Sequence, residues 1–214
     1  MRIGVLGTGD VGRVLGAAFV TLGHEVKLGA RAANNEKAAA WVKELGPKAS
    51  AGTFADAAAF GELLVLATLG AANKAVLEAA GAANCRGKVV IDTTNPLDFS
   101  QGMPPRLAVG HTDSGGEEVQ RLLPGALVVK AFNTVGNAHM FRPSFPGGPP
   151  DMFICGDDAS AKGRVSELLR EFGWGVIDLG GIECSRYLEP MCLTWVLYGL
   201  RSGSWNHAFK LLKR

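Results

Sequence analysis

The chain has 214 residues, a formal net charge of +2, 47% hydrophobic residues and 20% charged ones. This length suits one sizeable α/β domain with or without a short extension, and the charge is too small to favour nucleic acid or membrane surfaces. No uncharged apolar run approaches the roughly 20 residues of a membrane helix, because the longest, Met191 to Leu200, is about half that length. We expect no nucleic acid and no membrane among the partners.

Cysteine usage indicates a reducing compartment. The four cysteines are scattered and form no C-x-x-C pair: Cys85, Cys155, Cys184 and Cys192. The apolar start of the chain is too short for the core of a secretory signal, so we expect reduced thiols and a cytoplasmic protein. The sequence contains no H-E-x-x-H motif and no metal-ligand spacing of cysteine and histidine, so we expect no metal site.

Short apolar runs alternate with longer helical patterns along most of the chain. The predicted strands are Arg2–Leu6, Glu25–Leu28, Leu63–Ala67, Lys88–Asp92, Leu127–Ala131, Met152–Cys155 and Gly175–Asp178. The predicted helices are Asp10–Leu22, Ala38–Leu45, Ala71–Ala82, Gly116–Leu123 and Ala159–Phe172. Several strands are continuously apolar, which is typical of parallel strands covered on both faces. The alternating order predicts an α/β fold with a doubly wound parallel sheet, the Rossmann-like arrangement.

Three segments depart from this regular pattern. Gly46–Phe60 has room for an additional short strand and helix, and the Pro/Gly-rich stretch Arg142–Pro150 predicts a surface loop or lid. From Ile182 onward one long helix, Glu183 to about Leu200, precedes a short basic tail. Its apolar positions cover more than one face, so it packs on its own domain or on a partner subunit. We therefore divide the chain into a Rossmann domain, residues 1–181, and a C-terminal helical extension, residues 182–214.

A glycine-rich turn joins the first predicted strand to the first predicted helix. It reads Gly7-Thr8-Gly9-Asp10-Val11-Gly12. In such a turn the first glycine permits the tight bend, the second lets the backbone approach a pyrophosphate, and the third lets the helix pack closely on the strand. The free N–H groups at the start of the helix attract phosphate. The turn predicts a dinucleotide site, the alternative being a tight turn that binds nothing.

The end of the second predicted strand indicates which dinucleotide is bound. NAD sites usually place an acidic residue there to bind the ribose hydroxyls, but this position reads Leu28-Gly29-Ala30-Arg31. A guanidinium can hold a 2′-phosphate through paired hydrogen bonds, and Asn35 and Lys37 are close enough in sequence to assist. We therefore favour NADP(H) over NAD(H), with a solvated arginine at the start of a helix as the alternative for Arg31.

Ligands of doubly wound sheets lie outside the carboxyl ends of the strands. That rule selects Thr68 and Leu69, then Asn95 and Pro96, and finally Asn133 as walls of the nicotinamide side. Asn95-Pro96 is also a turn signal, and Asn133 is equally suited to capping a loop. Both interpretations stay open at this point.

The sequence offers no evident acid/base set. Lys130 lies inside an apolar strand, so it points either into the cleft or, by snorkelling, to the surface. His111 and His139 border the predicted cleft loops without a carboxylate to orient them, and neither tyrosine has a lysine four positions on. Reduction of a carbonyl needs a positioned acid, whereas hydride transfer between two cofactor rings needs mainly alignment. We assign no catalytic residue and favour transfer to a second redox cofactor.

Several motifs occur together in an order that resembles a known family. They are Gly7-Thr-Gly-Asp-Val-Gly-Arg, Gly23-His-Glu-Val-Lys-Leu-Gly-Ala-Arg, Val90-Ile-Asp-Thr-Thr-Asn-Pro-Leu, Val129-Lys-Ala-Phe-Asn-Thr, Ile154-Cys-Gly-Asp-Asp and Ser185-Arg-Tyr-Leu-Glu-Pro. The set resembles the NADPH-dependent reductases of coenzyme F420, an 8-hydroxy-5-deazaflavin, and the NADPH-binding domain of STEAP ferric reductases. The resemblance spans nearly the whole chain.

The resemblance implies roles for particular residues. Thr8, Gly9, Asp10 and Val11 would wrap the pyrophosphate, Ala30 and Arg31 would face the 2′-phosphate, and Thr68, Leu69, Asn95 and Pro96 would line the nicotinamide side. It also implies that the C-terminal helix helps to form a homodimer and closes the pocket of the second ring.

Two departures from the family pattern bear on specificity. Ala30 stands where relatives often have serine or threonine, which removes a hydroxyl from the phosphate site. Asn133 stands where archaeal F420 reductases have histidine and STEAP proteins have asparagine. The second ring is therefore F420, FMN or FAD, or another acceptor. The alternatives are an NADP-dependent dehydrogenase of small substrates, with Lys130 or a histidine as its acid, and a non-catalytic NADP(H)-binding protein.

Overall fold

Ten strands and eight α-helices make up the computed structural model, which describes residues 1–214. The strands are β1 (Arg2–Leu6), β2 (Glu25–Ala30), β3 (Ala49–Thr53), β4 (Leu63–Leu66), β5 (Val89–Asp92), β6 (Leu97–Asp98), β7 (Arg106–Leu107), β8 (Leu127–Lys130), β9 (Asp151–Ile154) and β10 (Gly175–Asp178). The helices are α1 (Asp10–Thr21), α2 (Glu36–Leu45), α3 (Phe54–Phe60), α4 (Asn73–Ala80), α5 (Ala82–Cys85), α6 (Gly115–Leu122), α7 (Ala159–Glu171) and α8 (Ser185–Ser202). None of the helices is both long and apolar enough to span a membrane.

Six parallel strands form the main sheet in the order β3-β2-β1-β4-β5-β8. The chain runs outward from β1 to β3 on one side and then from β4 to β8 on the other. The direction therefore reverses between β1 and β4, where β1 and β4 pair in parallel from Ile3–Leu63 to Leu6–Leu66. A reversal of this kind opens a crevice at the carboxyl ends of the strands. The predicted doubly wound, Rossmann-like fold is confirmed.

Successive residues of each central strand point to opposite faces of the sheet, and both faces are buried. On β4, Leu63 and Val65 belong to a core cluster of 28 buried residues shared with α1, α2 and α7. Leu64 and Leu66 belong to a second cluster of 18 buried residues shared with α3, α4 and α6. Burial on both sides explains why the strand is continuously apolar.

The structure also corrects several predictions. β9 and β10 form a separate two-stranded sheet, joined to the main one only by an antiparallel bridge between Lys130 and Cys155. The predicted helix Ala71–Ala82 is wrong in extent: a 3₁₀ turn precedes it, and Gly81, with φ of 82°, separates α4 from α5. The short hairpin of β6 and β7 was not predicted, since strands of two residues show no periodicity. The additional strand and helix in Gly46–Phe60 are present as β3 and α3.

Helix α8 lies close to the carboxyl end of β8, where its Glu189 forms an ion pair with Lys130. It packs on α6 and on β7, and its Leu188 joins the core cluster of α3, α4 and α6. The tail then returns to β9, where the Asp151 amide donates to the Phe209 carbonyl at 2.9 Å. The division at residue 182 stays a prediction, although α8 shares its core with the preceding residues.

Candidate functional site

The glycine turn has the geometry of a phosphate cradle. Gly7 has φ of 138°, and a Cβ there would lie 2.2 Å from the Ala67 carbonyl oxygen. A Cβ on Gly12 would lie 2.4 Å from the Gly7 carbonyl oxygen, so this glycine lets α1 pack against the turn. A Cβ on Gly9, in contrast, would meet no protein atom within 4 Å. Gly9 borders open space at the start of α1, where no side chain caps the helix. The amides of this turn are thus placed to receive an anion.

One charge near the turn requires compensation. Asp10 stands in the first turn of α1, and its carboxylate would repel a pyrophosphate by simple Coulomb interaction. Arg13, one turn further along the helix, forms an ion pair with it through Nη2 and Oδ1. The pair reduces the negative charge at the mouth of the cradle. The guanidinium of Arg13 was not singled out by the sequence, although it closes the motif Gly7-Thr-Gly-Asp-Val-Gly-Arg.

The end of β2 places a free cation beside the start of α2. Ala30 is buried, whereas Arg31 is exposed, and no carboxylate lies within ion-pair distance of its guanidinium. Asn35 is the N-cap of α2, and its Oδ1 accepts a hydrogen bond from the Ala38 amide at 3.0 Å. Its oxygen is therefore engaged in capping, so a contact with phosphate would come from Nδ2. Lys37 is exposed in the first turn of the same helix.

The loops after β4 and β5, which the sequence predicts to line the nicotinamide side, are held together. A Cβ on Gly70 would lie 2.1 Å from the Asn95 carbonyl oxygen, so the two loops touch through this glycine. The Thr68 hydroxyl donates to Asn73 at 3.0 Å, and Asn73 donates to the Thr94 hydroxyl at 2.7 Å. Leu69 is 76% exposed and presents an apolar side chain next to these polar groups. Pro96, next to Asn95 on the same loop, is buried.

Asn95 and Asn133 form a reciprocal pair across the ends of β5 and β8. Nδ2 of Asn95 donates to the Asn133 carbonyl at 2.9 Å, and Nδ2 of Asn133 donates to Oδ1 of Asn95 at 3.0 Å. The same Nδ2 donates to the Leu188 carbonyl of α8 at 2.9 Å. Oδ1 of Asn133 is buried without any donor. The structure therefore brings these two predicted site residues together and adds α8 to the wall.

A buried ion-pair cluster lies behind this wall, and the sequence did not reveal it. Nζ of Lys130 lies 2.8 Å from Oδ2 of Asp92 and 3.0 Å from Oε1 of Glu189, and it donates to the Thr94 carbonyl at 2.8 Å. Lys130 is 0% exposed. The expectation that it points into the cleft or to the surface is wrong. The reason is that two carboxylates and a carbonyl fully engage the ammonium inside the core.

The ionisation of this cluster follows from its burial and its partners. Burial opposes the charge on Lys130, but Asp92 and Glu189 outweigh it and hold the pKa of the ammonium above its ordinary value. Burial raises the pKa of Glu189, although Lys130 and the amides of Gly115 and Gly116 oppose that shift. A signal existed in the sequence: Asp92 and Lys130 each end a continuously apolar strand, and they are register partners on neighbouring strands.

The remaining histidine and tyrosine candidates are placed elsewhere or already engaged. Nε2 of His139 lies 3.1 Å from Oδ1 of Asn206 in the tail. His111 follows the β6–β7 hairpin with φ of 60°. Tyr187 and Tyr198 are exposed on α8. None of these four is brought to the Asn95–Asn133 pair by a hydrogen bond of the structure.

The switch in strand order, the glycine cradle and the free cation after β2 define a Rossmann-like NADP-binding protein. A family model described as NADP oxidoreductase, coenzyme F420-dependent, matches residues 2–96. The solved structure of a candidate F420-dependent NADP reductase from Arthrobacter sp. FB24 is 43% identical, with both chains fully covered and a TM-score of 0.93. The chain belongs to this family of NADP-dependent oxidoreductases.

More distant relatives share parts of the chain. Metalloreductase STEAP3 of Rattus norvegicus is 30% identical over 193 residues, which cover 90% of this chain and 36% of STEAP3. Metalloreductase STEAP2 of Homo sapiens is 29% identical over 107 residues, 50% of this chain and 20% of STEAP2. This chain thus spans about a third or less of these curated relatives. A reductive aminase from Aspergillus terreus, solved with NADPH, is 22% identical with a TM-score of 0.67 and shows the shared fold.

Proposed function

We propose that the protein transfers hydride between NADPH and a deazaflavin such as coenzyme F420, or a flavin, which binds as a second redox cofactor. The observation that carries the proposal is the burial of Lys130, whose ammonium is fully engaged by Asp92, Glu189 and the Thr94 carbonyl. A dehydrogenase of small carbonyl substrates needs an acid that reaches the developing alkoxide. Lys130, the lysine considered for that role, has no access to the cleft.

The cleft wall itself suits a ring acceptor. Leu69 is 76% exposed, and the next residue, Gly70, touches the loop of Asn95, whose amide is fixed by Asn133. A flat aromatic ring stacked on such a surface needs orientation rather than proton transfer from the protein, because the two cofactors carry the chemistry. The similarity to a candidate F420-dependent NADP reductase supports the same interpretation.

The test is NADPH oxidation measured in parallel with F420, FMN, FAD, ferric chelates and small carbonyl compounds, in the absence of oxygen. We expect one ring acceptor to accelerate oxidation well above the rate without acceptor. If NADPH binds but no acceptor accelerates its oxidation, the proposal is wrong and a non-catalytic NADP(H)-binding role takes its place. Acceleration only with small carbonyl compounds would favour the dehydrogenase alternative.

We also propose a cytoplasmic homodimer. All four cysteines are free, as is typical of a reducing compartment. Helix α8 exposes four large apolar side chains: Tyr187, Leu197, Tyr198 and Leu200. Exposed large apolar side chains of this kind are often covered by a partner, and a second copy of the chain is the occupant that the family resemblance favours. We expect sedimentation velocity to give a dimer and Leu197→Glu to give a monomer; a monomeric unmodified protein would contradict this.

A further inference from the structure

We propose that Glu189 and Lys130 are positioning residues for hydride transfer. Their buried ion pair holds α8 against the carboxyl ends of β5 and β8, and α8 in turn fixes the amide of Asn133 beside the nicotinamide pocket. The inference deepens the proposed function and rests on it in one respect, namely that the nicotinamide lies against Asn95 and Asn133.

The carboxylate of Glu189 contacts the start of α6 and the end of β8. Oε2 accepts from the Gly115 amide at 3.0 Å, and Oε1 accepts from the Gly116 amide at 2.9 Å and forms an ion pair with Nζ of Lys130 at 3.0 Å. The carboxylate therefore caps α6 from a distant part of the chain, where the helix dipole favours a negative charge. Glu189 is 1% exposed. These contacts fix one turn of α8 against both α6 and the last residue of β8.

The turn of α8 that contains Glu189 also contacts Asn133 in the wall of the cleft. The carbonyl of Leu188, the residue before Glu189, accepts from Nδ2 of Asn133 at 2.9 Å. Nδ2 also donates to Oδ1 of Asn95, so two acceptors fix which way the Asn133 amide points. Movement of α8 by a fraction of a helical turn would release one of these two bonds.

The segment that α8 holds is in an unfavourable conformation. Phe132 has φ of 63°, which is rare for a residue with a large side chain. Oδ1 of the adjacent Asn133 is buried with no donor, which costs about 1–3 kcal/mol in proteins. Strain of this kind persists only where surrounding contacts impose it. Strained residues are found most often at functional sites. The contacts that hold this segment include the hydrogen bond from Nδ2 of Asn133 to the Leu188 carbonyl.

A second ion pair between the same two helices provides a matched control. Arg186 of α8 binds Glu117 of α6, with Nε donating to Oε2 at 2.8 Å. The side chain of Arg186 is 34% exposed, and neither Lys130 nor Asn133 is a hydrogen-bond or ion-pair partner of this pair. Removing Arg186 weakens the attachment of α8 without touching the buried cluster.

The experiment compares Glu189→Gln with Arg186→Gln. Glutamine leaves Lys130 paired with Asp92, but its NH₂ group must face either the Gly115 or the Gly116 amide, so donor meets donor and this turn of α8 shifts. Because a shift near 1 Å at a reacting ring costs up to about 100-fold in rate, we expect kcat of Glu189→Gln to fall at least about tenfold. The phosphate sites lie elsewhere, so Kd for NADPH should change by less than about threefold.

A binding measurement that needs no hydride acceptor tests this inference independently of the proposed function. NADPH and NADP⁺ differ only in the nicotinamide ring, so the ratio of their Kd values reports the surroundings of that ring alone. We expect the ratio to change at least about threefold in Glu189→Gln and less than twofold in Arg186→Gln. If the unmodified protein turns over no acceptor, the proposed function fails while this ratio still tests the positioning role.

Two results would overturn the inference. One is a folded Glu189→Gln protein whose kcat and Kd ratio both stay within twofold of the unmodified protein. The other is a loss of kcat in Arg186→Gln equal to that in Glu189→Gln, when the two variants lose Tm to a similar extent. That result would mean that any weakening of the attachment of α8 lowers kcat and that Glu189 has no specific positioning role. If Glu189→Gln does not fold, Glu189→Asp, which keeps the charge on a shorter stem, is judged by the same two readouts.

Discussion

Replacing single glycines of the phosphate cradle should separate ligand binding from folding. Gly9 has φ of −73° and ψ of 180°, extended backbone that alanine adopts readily, and its added Cβ would meet no protein atom within 4 Å. Alanine restricts the unfolded chain but is a poorer N-cap than glycine, so these opposing effects should leave the free energy of unfolding within about 1 kcal/mol. The methyl group would instead occupy space that a pyrophosphate needs.

The magnitude follows from the contacts that the methyl group would displace. One charge-assisted hydrogen bond from an amide to phosphate contributes about 1.5–3 kcal/mol, so its loss should raise Kd for NADPH about 10- to 150-fold. Gly12→Ala is the contrasting variant, because its Cβ would lie 2.4 Å from the Gly7 carbonyl oxygen. Overpacking of this kind costs about 1–3 kcal/mol, which lowers Tm by roughly 2–12 °C.

The assay is thermal unfolding with and without NADPH, together with a fluorescence titration of NADPH. We expect Gly9→Ala to unfold near the Tm of the unmodified protein and to lose the stabilisation that the ligand confers. Gly12→Ala should unfold at a lower temperature even without ligand. A Gly9→Ala protein that binds NADPH within twofold of normal would refute the placement of the pyrophosphate over this turn.

Three further predictions follow from charged groups. Arg31→Ala should weaken NADPH about 10- to 100-fold and NADH less than about twofold; equal losses in the two titrations would show that Arg31 does not bind the 2′-phosphate. Lys130→Met should lower the free energy of unfolding by about 3–5 kcal/mol in urea titrations, because it leaves buried carboxylates unpaired, whereas a loss below about 1 kcal/mol would contradict the ion-pair geometry. The Arg186 guanidinium lowers the pKa of Glu117, so the ion pair stabilises the folded protein above the ordinary value of 4.5, and this stabilisation is lost as pH falls through the lowered value. Acidification below pH 4.5 should therefore destabilise Arg186→Gln less than the unmodified protein. An equal loss of stability in the two proteins would argue against this pair.

The strand–turn–helix geometry around the glycine turn, and the exposed arginine after β2, could be predicted because their determinants are local. The turn from Gly7 to Gly12 connects one strand to one helix, and Arg31 follows directly after the neighbouring strand. Backbone freedom, helix polarity and charge at these positions are properties of short stretches of sequence. The same holds for the parallel strands, whose continuous apolar pattern reports burial on both faces.

The deeper part of the site depends on contacts between distant residues. Asp92, Lys130 and Glu189 meet only when two strands and the last helix are assembled, and each alone has an ordinary alternative on the surface. The separation of β9 and β10 from the main sheet has the same origin. Their apolar pattern suits any buried parallel strand, whereas in the structure they pair with each other and meet the main sheet at the antiparallel bridge between Lys130 and Cys155.

The reciprocal pair of Asn95 and Asn133 divides the cleft into two parts with different construction. The glycine cradle, Arg31 and Asn95 all lie within residues 2–96, the stretch that the family model matches. The opposite wall is completed by Asn133 and by the Leu188 carbonyl of α8. Leu188 lies more than 50 residues beyond Asn133 along the chain. In the function proposed here, substitutions in α8 would change the binding of the acceptor ring without changing the phosphate cradle. On that proposal, one dinucleotide module would serve different acceptors as the sequence of α8 changes.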